Sequence, residues 1–458
     1  MHRALALCLA AAALAGCRTS VPGAGRDAAP RVARATPPDV VAEADRMAAR
    51  DLWPGFEPRT IPVAIFDGSD TWLFRHPAPP AGFAPDSARP GVWILRGRHQ
   101  EVTANTSISL GGTQTAVLAL DTERTSLAAH AALLIHESFH VFERVRHPDW
   151  TANEVELFTY PSENAEALAL RMLETAALRR ALAAEDDHRA ACWAHEAMAA
   201  RAGRFAMLPP GSVAYERGIE IVEGLAEYVE HQAMRSPAGA APPLSDYPPD
   251  AVRQRGYAVG LALALLLDRL SPDWRASLER SDSTGMDGLL SAAVRGRAGG
   301  IPPCTFSPAT RLGVEHRARR HIAAMQDSRA VRRREFLAAE GWKVVVDAEA
   351  APLYPQAFDP LNVQKVSAGE ILHTRWLRLG RPGASIEVLG RAALTRAAGT
   401  HPLFEGVRTL TLTGFAREPA VQAVEGRVTL EAEGVRGEFA RAELDRQDGA
   451  RTVLVRLR

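Results

Sequence analysis

The chain has 458 residues with 54 basic and 54 acidic side chains, so its formal net charge is zero. Its length permits two or three domains, and the balance of charges gives no indication of a nucleic-acid-binding surface. The four cysteines are too few and too scattered for a zinc finger. No nucleic-acid partner is therefore expected.

The first 17 residues combine a short basic start with an apolar run. Met-His-Arg at residues 1–3 forms the basic start, and residues 4–13 form an apolar run that is too short to span a bilayer. The run leads into Leu-Ala-Gly-Cys at residues 14–17, which resembles a lipobox. This resemblance implies lipidation of Cys17 and a lipid-anchored location in the cell envelope. Arg18 in place of Asp favours the outer membrane, and simple secretion after cleavage is the alternative.

Residues 18–40 are rich in Pro, Gly, Ala and Arg without periodicity, so a flexible tether is predicted there. Three short β-type runs follow, separated by turn residues, at residues 61–66, 92–95 and 115–120. Thr125 and Ser126 are then cap candidates for a helix that should end before Pro148.

Within this helix the sequence LLIHESFH contains an H-E-x-x-H motif formed by His136, Glu137 and His140. Residues i and i+4 share a helix face, so both imidazoles can bind one Zn²⁺ through ring nitrogens. Glu137 points in an adjacent direction, where its carboxylate can take a proton from a zinc-bound water. The flanking residues are uncharged and lack Pro, which favours a buried helix. A pair of structural core histidines is the alternative.

Two helices are predicted over residues 162–205, with a break near residues 186–187, and an acidic helix follows the Pro-Pro-Gly at 209–211. The acidic helix has the sequence RGIEIVEGLAEYVEHQ, and one of its faces carries Glu220, Glu223 and Glu227. Acidic groups on an otherwise apolar helix require a partner, and a divalent metal is such a partner. A solvated acidic stripe is the alternative.

An H-E-x-x-H helix followed by a helix with E-G-x-A-E resembles the gluzincin metallopeptidases, the thermolysin-like and aminopeptidase-like zinc enzymes. The resemblance implies that Glu223 is the third zinc ligand. It also implies that Glu227, one turn later, holds a metal-binding histidine in place. His140 and Glu223 are 83 residues apart (223 − 140), a longer spacer than in the best-known gluzincins, so the resemblance covers two helices only. The rival ligands are Glu220, Glu163 and Glu166.

Beyond residue 341 the sequence alternates polar and apolar residues, most clearly at 409–413, 427–432 and 451–458. This alternation predicts a small all-β sandwich or barrel, in which no functional motif is evident. Two cysteines remain once Cys8 and Cys17 are assigned to the signal and the lipid. A disulfide between Cys192 and Cys304 and a pair of separate buried thiols are both open.

These patterns predict an α+β fold. Its first part is a zincin-like catalytic domain over residues 41–340, and its second is a β-rich domain over residues 341–458. We expect hydrolysis of peptide bonds in a peptide or protein substrate, with one Zn²⁺ and with Glu137 as the general base. The oxyanion needs a further donor, for which the candidates are Tyr215, Tyr228, His231 and Tyr257. The alternatives are a non-catalytic envelope lipoprotein and zinc hydrolysis of a non-peptide bond.

Overall fold

A computed structural model describes residues 35–121, 125–234, 244–280, 285–295, 304–359, 362–399 and 401–458. The predicted signal peptide, its Cys17 and residues 18–34 of the predicted tether lie outside the described residues. Clustering of contacts divides the chain into two compact units. The first comprises Met1–Asn153, Ala169–Tyr247 and Ala251–Val314, and the second comprises Glu154–Leu168, Pro248–Asp250 and Glu315–Arg458.

The described part of the first unit contains one six-stranded sheet. Its strands are β1 (Val63–Phe66), β2 (Asp70–Phe74), β3 (Ala84–Pro85), β4 (Val92–Arg96), β5 (Thr106–Leu110) and β6 (Thr113–Ala119). They lie in the order β3-β4-β2-β1-β6-β5, with β1 and β6 parallel and the other neighbours antiparallel. The three predicted β-type runs correspond to β1, β4 and β6, which carry most of the buried β-branched and aliphatic residues of this sheet.

Ten α-helices lie within the described residues. They are α1 (Pro37–Met47), α2 (Leu127–Arg146), α3 (Glu156–Thr159), α4 (Ala165–Leu182), α5 (Asp187–Phe205), α6 (Pro210–Met234), α7 (Val252–Leu270), α8 (Trp274–Glu279), α9 (Met286–Arg295) and α10 (Pro308–Ala338). The predicted break near residues 186–187 is confirmed, because Asp186 caps α5 by accepting a hydrogen bond from the backbone amide of Arg189. None of the described helices combines the length and the apolar character needed to cross a bilayer.

Helix α1 corrects the predicted tether, because it begins at Pro37 and so includes the last four residues assigned to a flexible segment. Thr36 and Asp39 form a capping box, in which each side chain bonds to the backbone of the other residue. Pro37 at the first helical position has its backbone preset for a helix. The Pro- and Ala-rich composition of this segment concealed a helix start.

Helices α6 and α7 approach each other closely at Gly224 and Gly260. A Cβ atom added to Gly224 would lie 2.6 Å from the Cα atom of Gly260, a distance that real Cβ atoms do not adopt. The glycine of the E-G-x-A-E sequence therefore allows two backbones to meet. Side chains on either helix near this crossing can reach one another.

The second unit is dominated by two β-sheets. Their strands are β7 (Trp342–Asp347), β8 (Tyr354–Phe358), β9 (Val363–Ser367), β10 (Glu370–His373), β11 (Trp376–Arg381), β12 (Ala384–Leu389), β13 (Ala393–Ala397), β14 (Val407–Phe415), β15 (Ala420–Val424), β16 (Arg427–Ala432), β17 (Val435–Phe439), β18 (Ala442–Gln447) and β19 (Thr452–Leu457). One sheet has the order β18-β19-β7-β14-β13-β10-β9, and the other has the order β15-β16-β17-β12-β11-β8.

The two sheets share one apolar core, to which β7 contributes Val344 and Val346 and the other sheet contributes Leu377 and Ile386. Alternating burial along the strands supplies this core, as in a sandwich. A smaller cluster joins Phe336 of α10 to three residues of the first of these sheets, Val366, Leu372 and Leu394. The α+β class and the β-rich C-terminal region are therefore confirmed.

Candidate metal centre

Helix α2 carries both histidines of the H-E-x-x-H motif on one face. It begins after Ser126, whose hydroxyl accepts a hydrogen bond from the backbone amide of Ala129, and it runs unbroken to Arg146. The ring centroids of His136 and His140 lie 4.9 Å apart, and both side chains are buried. One turn of helix therefore sets the separation of the two imidazoles.

Helix α6 supplies the third group of the cluster. The Oε2 atom of Glu223 lies 3.4 Å from Nε2 of His140 and 3.8 Å from Nε2 of His136. The ligand atoms of these three residues all lie within 4.8 Å of one another, and all three residues are buried. This buried group could hold a metal ion.

The Oε2 atom of Glu223 is buried and has no hydrogen-bond partner among the described residues. Burial works to raise the pKa of Glu223, but His140, His136 and Arg253 hold that pKa well below its usual range. An ionised buried oxygen without a hydrogen bond is costly unless a cation satisfies it. Two imidazole nitrogens and one carboxylate oxygen form a donor set that suits a divalent transition metal. The residues present therefore fit a metal.

Each imidazole also has a carboxylate at its other nitrogen. Nδ1 of His140 bonds to Oε2 of Glu143 at 2.9 Å, and Nδ1 of His136 lies 3.1 Å from Oε2 of Glu230. The bond from Glu143 holds the proton of His140 on Nδ1, so that its Nε2 is left to bind a metal. Glu230 is close to Nδ1 of His136, but that nitrogen has no hydrogen-bond partner of good geometry among the described residues. Both Nε2 atoms face Glu223, which is the side on which the ligands converge.

The resemblance to gluzincins implied this supporting role for Glu227. The structure brings Glu227 to the same end of the site, since its carboxylate lies within 4.8 Å of the ligand atoms of His136 and Glu230. Sequence analysis missed Glu143 and Glu230. Their positions contained a signal, because Glu143 lies one turn after His140 and Glu230 lies two turns after Glu223.

Glu137 is fully buried beside the two histidines. Neither of its carboxylate oxygens has a hydrogen-bond partner in the part of the chain that the structure describes. Burial raises the pKa of Glu137, and the neighbouring His136 and His140 oppose that increase. A carboxylate kept without protein hydrogen bonds next to a metal-binding group is available to exchange protons with a water or a substrate.

Helix α7 adds Arg253 and Tyr257 to the cluster. Arg253 donates from Nη2 to Oε1 of Glu223 at 2.6 Å and from Nη1 to the hydroxyl of Tyr257 at 2.7 Å. The Tyr257 ring lies nearly parallel to that of His136, with 6.4 Å between centroids. Burial and the nearby Glu223 raise the pKa of Tyr257, so its hydroxyl keeps its proton. Arg253 was not predicted, because no local pattern connects it to the motif.

The structure distinguishes among the predicted oxyanion donors. Tyr257 lies beside His136 in the group that could hold a metal ion. The Tyr228 hydroxyl donates instead to Asp268, with oxygen–oxygen distances of 2.8 and 3.0 Å. Tyr215 is buried on α6 two turns before Glu223, and His231 is half-buried near the end of the same helix.

Glu220, a rival candidate for the third ligand, belongs to a buried ionic cluster. Its carboxylate accepts a hydrogen bond from Arg201, which also donates to Glu174 at 2.8 Å. The cluster is completed by residues of α5, α6, α7 and α9, namely Arg204, Glu216, Arg255 and Asp287. Of the other rivals, Glu163 pairs with Arg329 in the second unit and Glu166 is exposed. Glu223 is the predicted candidate that the structure places against both histidines.

Cys192 and Cys304 are joined in a disulfide, with a Cα–Cα distance of 5.5 Å and a sequence separation of 112 residues. The bond lies within the first unit, where it ties α5 to the segment that precedes α10. A cross-link over so long a loop restricts the unfolded chain strongly.

Comparison of the chain with family models, with curated proteins and with solved structures gave no significant match. The chemistry of the site therefore has to be argued from its own residues.

Proposed function

We propose that this protein is a zinc-dependent hydrolase of peptide bonds. The observation that carries the proposal is the geometry around Glu223. Its Oε2 atom is buried, lacks a hydrogen-bond partner among the described residues, and faces the Nε2 atoms of His136 and His140. Three protein ligands leave the fourth position of a zinc ion to water, which is the arrangement of catalytic zinc sites.

The chain's own residues have distinct parts in this chemistry. His136, His140 and Glu223 would hold the zinc, which supplies a Lewis acid for the scissile carbonyl and lowers the pKa of a water. Glu137 takes a proton from the attacking water and returns it to the leaving amine. Its two buried oxygens have no hydrogen-bond partner among the described residues that would compete for that proton.

Tyr257 is the oxyanion donor that the geometry favours. Its hydroxyl accepts a hydrogen bond from Arg253 and lies beside Glu223, and its ring is stacked beside that of His136. A hydroxyl donor at this place would stabilise negative charge on the carbonyl oxygen during attack. The Tyr228 hydroxyl is committed to Asp268.

The test uses the purified protein and a matched pair of variants. We expect the wild type to bind one zinc ion by elemental analysis, and to cleave members of a broad peptide library in a chelator-sensitive manner. Glu137→Gln should keep the zinc and lose about 10²–10⁴-fold in kcat, since an amide of the same shape cannot accept the proton. Glu166→Gln is the control, because Glu166 is an exposed glutamate.

The outcomes separate the peptidase from its main rival. Zinc binding without cleavage of any peptide, and without an effect of Glu137→Gln, would favour a non-catalytic lipoprotein that keeps the scaffold. Zinc-dependent cleavage of esters alone would favour hydrolysis of a non-peptide bond. Absence of bound zinc in wild-type protein would refute the metal site itself.

The cell envelope is the proposed location, with a lipid on Cys17 as the anchor. The support is the Leu-Ala-Gly-Cys sequence after a short apolar run. Cys17→Ser should abolish incorporation of a labelled fatty acid and release the protein from the membrane fraction. Equal labelling of wild type and variant would refute the anchor and leave the proposed activity untouched.

A further inference from the structure

Arg253 binds the metal-ligand carboxylate of Glu223 from the side opposite the histidines. The Nη2 atom of Arg253 donates to Oε1 of Glu223 at 2.6 Å, whereas Oε2 of the same carboxylate faces the Nε2 atoms of the two histidines. The Arg253 side chain is largely buried, at 11% exposure. A charge-assisted bond of this length, shielded from water, is among the stronger hydrogen bonds in proteins.

We infer that Arg253 is a positioning residue that restricts Glu223 to one metal-binding oxygen. This inference rests on the proposed metal site. A carboxylate can bind a metal through one oxygen or through both. Because Oε1 is engaged by a guanidinium, only Oε2 remains for the metal, and coordination through both oxygens would break the bond to Arg253.

The number of oxygens used by Glu223 decides whether the site keeps a place for water. Two imidazoles and one carboxylate oxygen give three protein bonds, so a four-coordinate metal retains one open position. A second bond from Glu223, with the water still bound, would make the metal five-coordinate. Arg253 thereby acts on the reaction through Glu223, without itself touching the reacting atoms.

Tyr257 completes the support of Arg253. The guanidinium donates from Nη1 to the Tyr257 hydroxyl at 2.7 Å. Both of its terminal nitrogens are therefore hydrogen-bonded, one to Tyr257 and one to Glu223. The planar fork of arginine suits two acceptors at once, whereas a lysine ammonium offers a single mobile centre. Lysine can reach Glu223 but cannot reproduce both contacts.

The experiment measures the metal site directly, in the full-length protein loaded with Co²⁺ as a spectroscopic substitute for zinc. Four-coordinate Co²⁺ absorbs strongly in the visible range, and higher coordination numbers absorb weakly. We expect strong absorption in the wild type and loss of the strong bands in Arg253→Met. Zinc affinity of Arg253→Met should fall about 10–100-fold, as for other residues that orient a metal ligand. Arg253→Lys should recover part of the absorption.

Two further variants make the assignment specific. Arg269→Met removes another arginine from α7, one that pairs with Asp187 near the opposite end of the helix, and should keep the wild-type spectrum. Tyr257→Phe removes the hydroxyl but leaves the Arg253–Glu223 bond, so it should also keep the strong bands. Loss of the bands in Tyr257→Phe together with their retention in Arg253→Met would assign the positioning role to the tyrosine and overturn the inference.

Failure of this inference is distinguishable from failure of the proposed function. A wild-type spectrum and wild-type zinc affinity in Arg253→Met would overturn the role of Arg253 and leave the peptidase proposal standing. If Arg253→Met does not fold, Arg253→Lys decides, because a folded lysine variant with an unchanged spectrum and an unchanged zinc affinity would equally overturn the inference. Wild-type protein that binds neither Co²⁺ nor zinc would refute the proposed function first.

Discussion

The two halves of α6 place their acidic side chains in contrasting surroundings. In the first half, Glu216 and Glu220 accept hydrogen bonds from arginines of α5. In the second half, Glu223 and Glu230 face the histidines of α2. The first set is matched by permanently charged donors alone, whereas the second set also faces imidazoles, which can exchange a proton for a metal. The first half of α6 thus contributes its acidic groups to an ionic cluster, and the second half contributes to the group that could hold a metal ion.

The largest effect is expected from Glu174 of α4, which binds the same two arginines as Glu216 and Glu220 of α6. Its carboxylate contacts Arg201, Arg204 and Arg255 and is fully buried. Glu174→Gln should lower the free energy of unfolding by about 3–5 kcal/mol, because buried guanidinium groups lose their counter-charge. Folded protein should still bind one zinc ion. Urea unfolding and metal analysis test this, with Glu166→Gln on the same helix as the control.

The second effect separates Glu223 from Glu220. Glu223→Ala removes one of the three proposed metal ligands. Zinc affinity should therefore fall by roughly 10²–10³-fold. Glu220→Ala should leave zinc affinity near the wild-type value and reduce stability, since it leaves Arg201 with one acceptor fewer. Competition titration with a zinc chelator measures both. Equal zinc affinity in the two variants would break the contrast between the halves of α6.

Smaller changes are expected at the carboxylates that support the histidines. Glu143→Gln and Glu230→Gln should each weaken zinc binding about 10–100-fold while leaving its stoichiometry at one. The same titration, applied to Glu227→Gln, sharpens the outcome. A larger loss in Glu227→Gln than in Glu230→Gln would support the role that the gluzincin resemblance implied for Glu227.

The last effect is a dependence on pH. The carboxylates of Glu223 and Glu143 overcome the effect of burial and raise the pKa of His140 to about 9 in the metal-free protein. A folded-state pKa above the unfolded value of about 6.5 stabilises the protein fully below pH ~6.5, and this contribution is lost as pH rises through ~9. Metal-free protein should therefore lose stability over that window. Zinc affinity should rise over it, by up to about tenfold per pH unit for each proton displaced.

Thermal unfolding of metal-free protein between pH 6 and 9 tests the expected loss of stability. Chelator titrations over the same range test the expected rise in zinc affinity. His140→Gln, which cannot titrate, is the control and should flatten the stability profile. Stability of metal-free wild type that rises across the same window would contradict the assignment.

Features of the site that depend on local spacing could be predicted from the sequence. The i, i+4 spacing of His136 and His140 is a property of one helix, and their separation follows from it. The choice between Glu220 and Glu223 is different, because both lie on the same face of α6. It is decided by Arg201, which comes from another helix. Arg253 is likewise contributed by α7, 30 residues after Glu223, and no periodic pattern points to it.

The fold shows the same division. Three of the six strands of the first sheet, β1, β4 and β6, and the boundary between α4 and α5 follow from runs and capping residues that are local. The start of α1 was missed although Thr36, Pro37 and Asp39 form a recognisable helix start, because composition was weighed over a long window. The grouping of residues 315–338 of α10 with the second unit has no local signal in the sequence, because Phe336 packs against strands that come later in the chain.

The contact between Gly224 and Gly260 allows the backbones of α6 and α7 to approach as closely as two helices can. Glu223 is the neighbour of Gly224, and Arg253 lies two turns before Gly260 on α7, so the gap between the two backbones governs the reach between a metal ligand and its anchor. Any side chain at Gly224 would act as a wedge and lengthen that reach without altering a single ligand. Under the proposed function, metal affinity therefore depends on the separation of α6 and α7, and an apolar side chain at position 224 is expected to lower it.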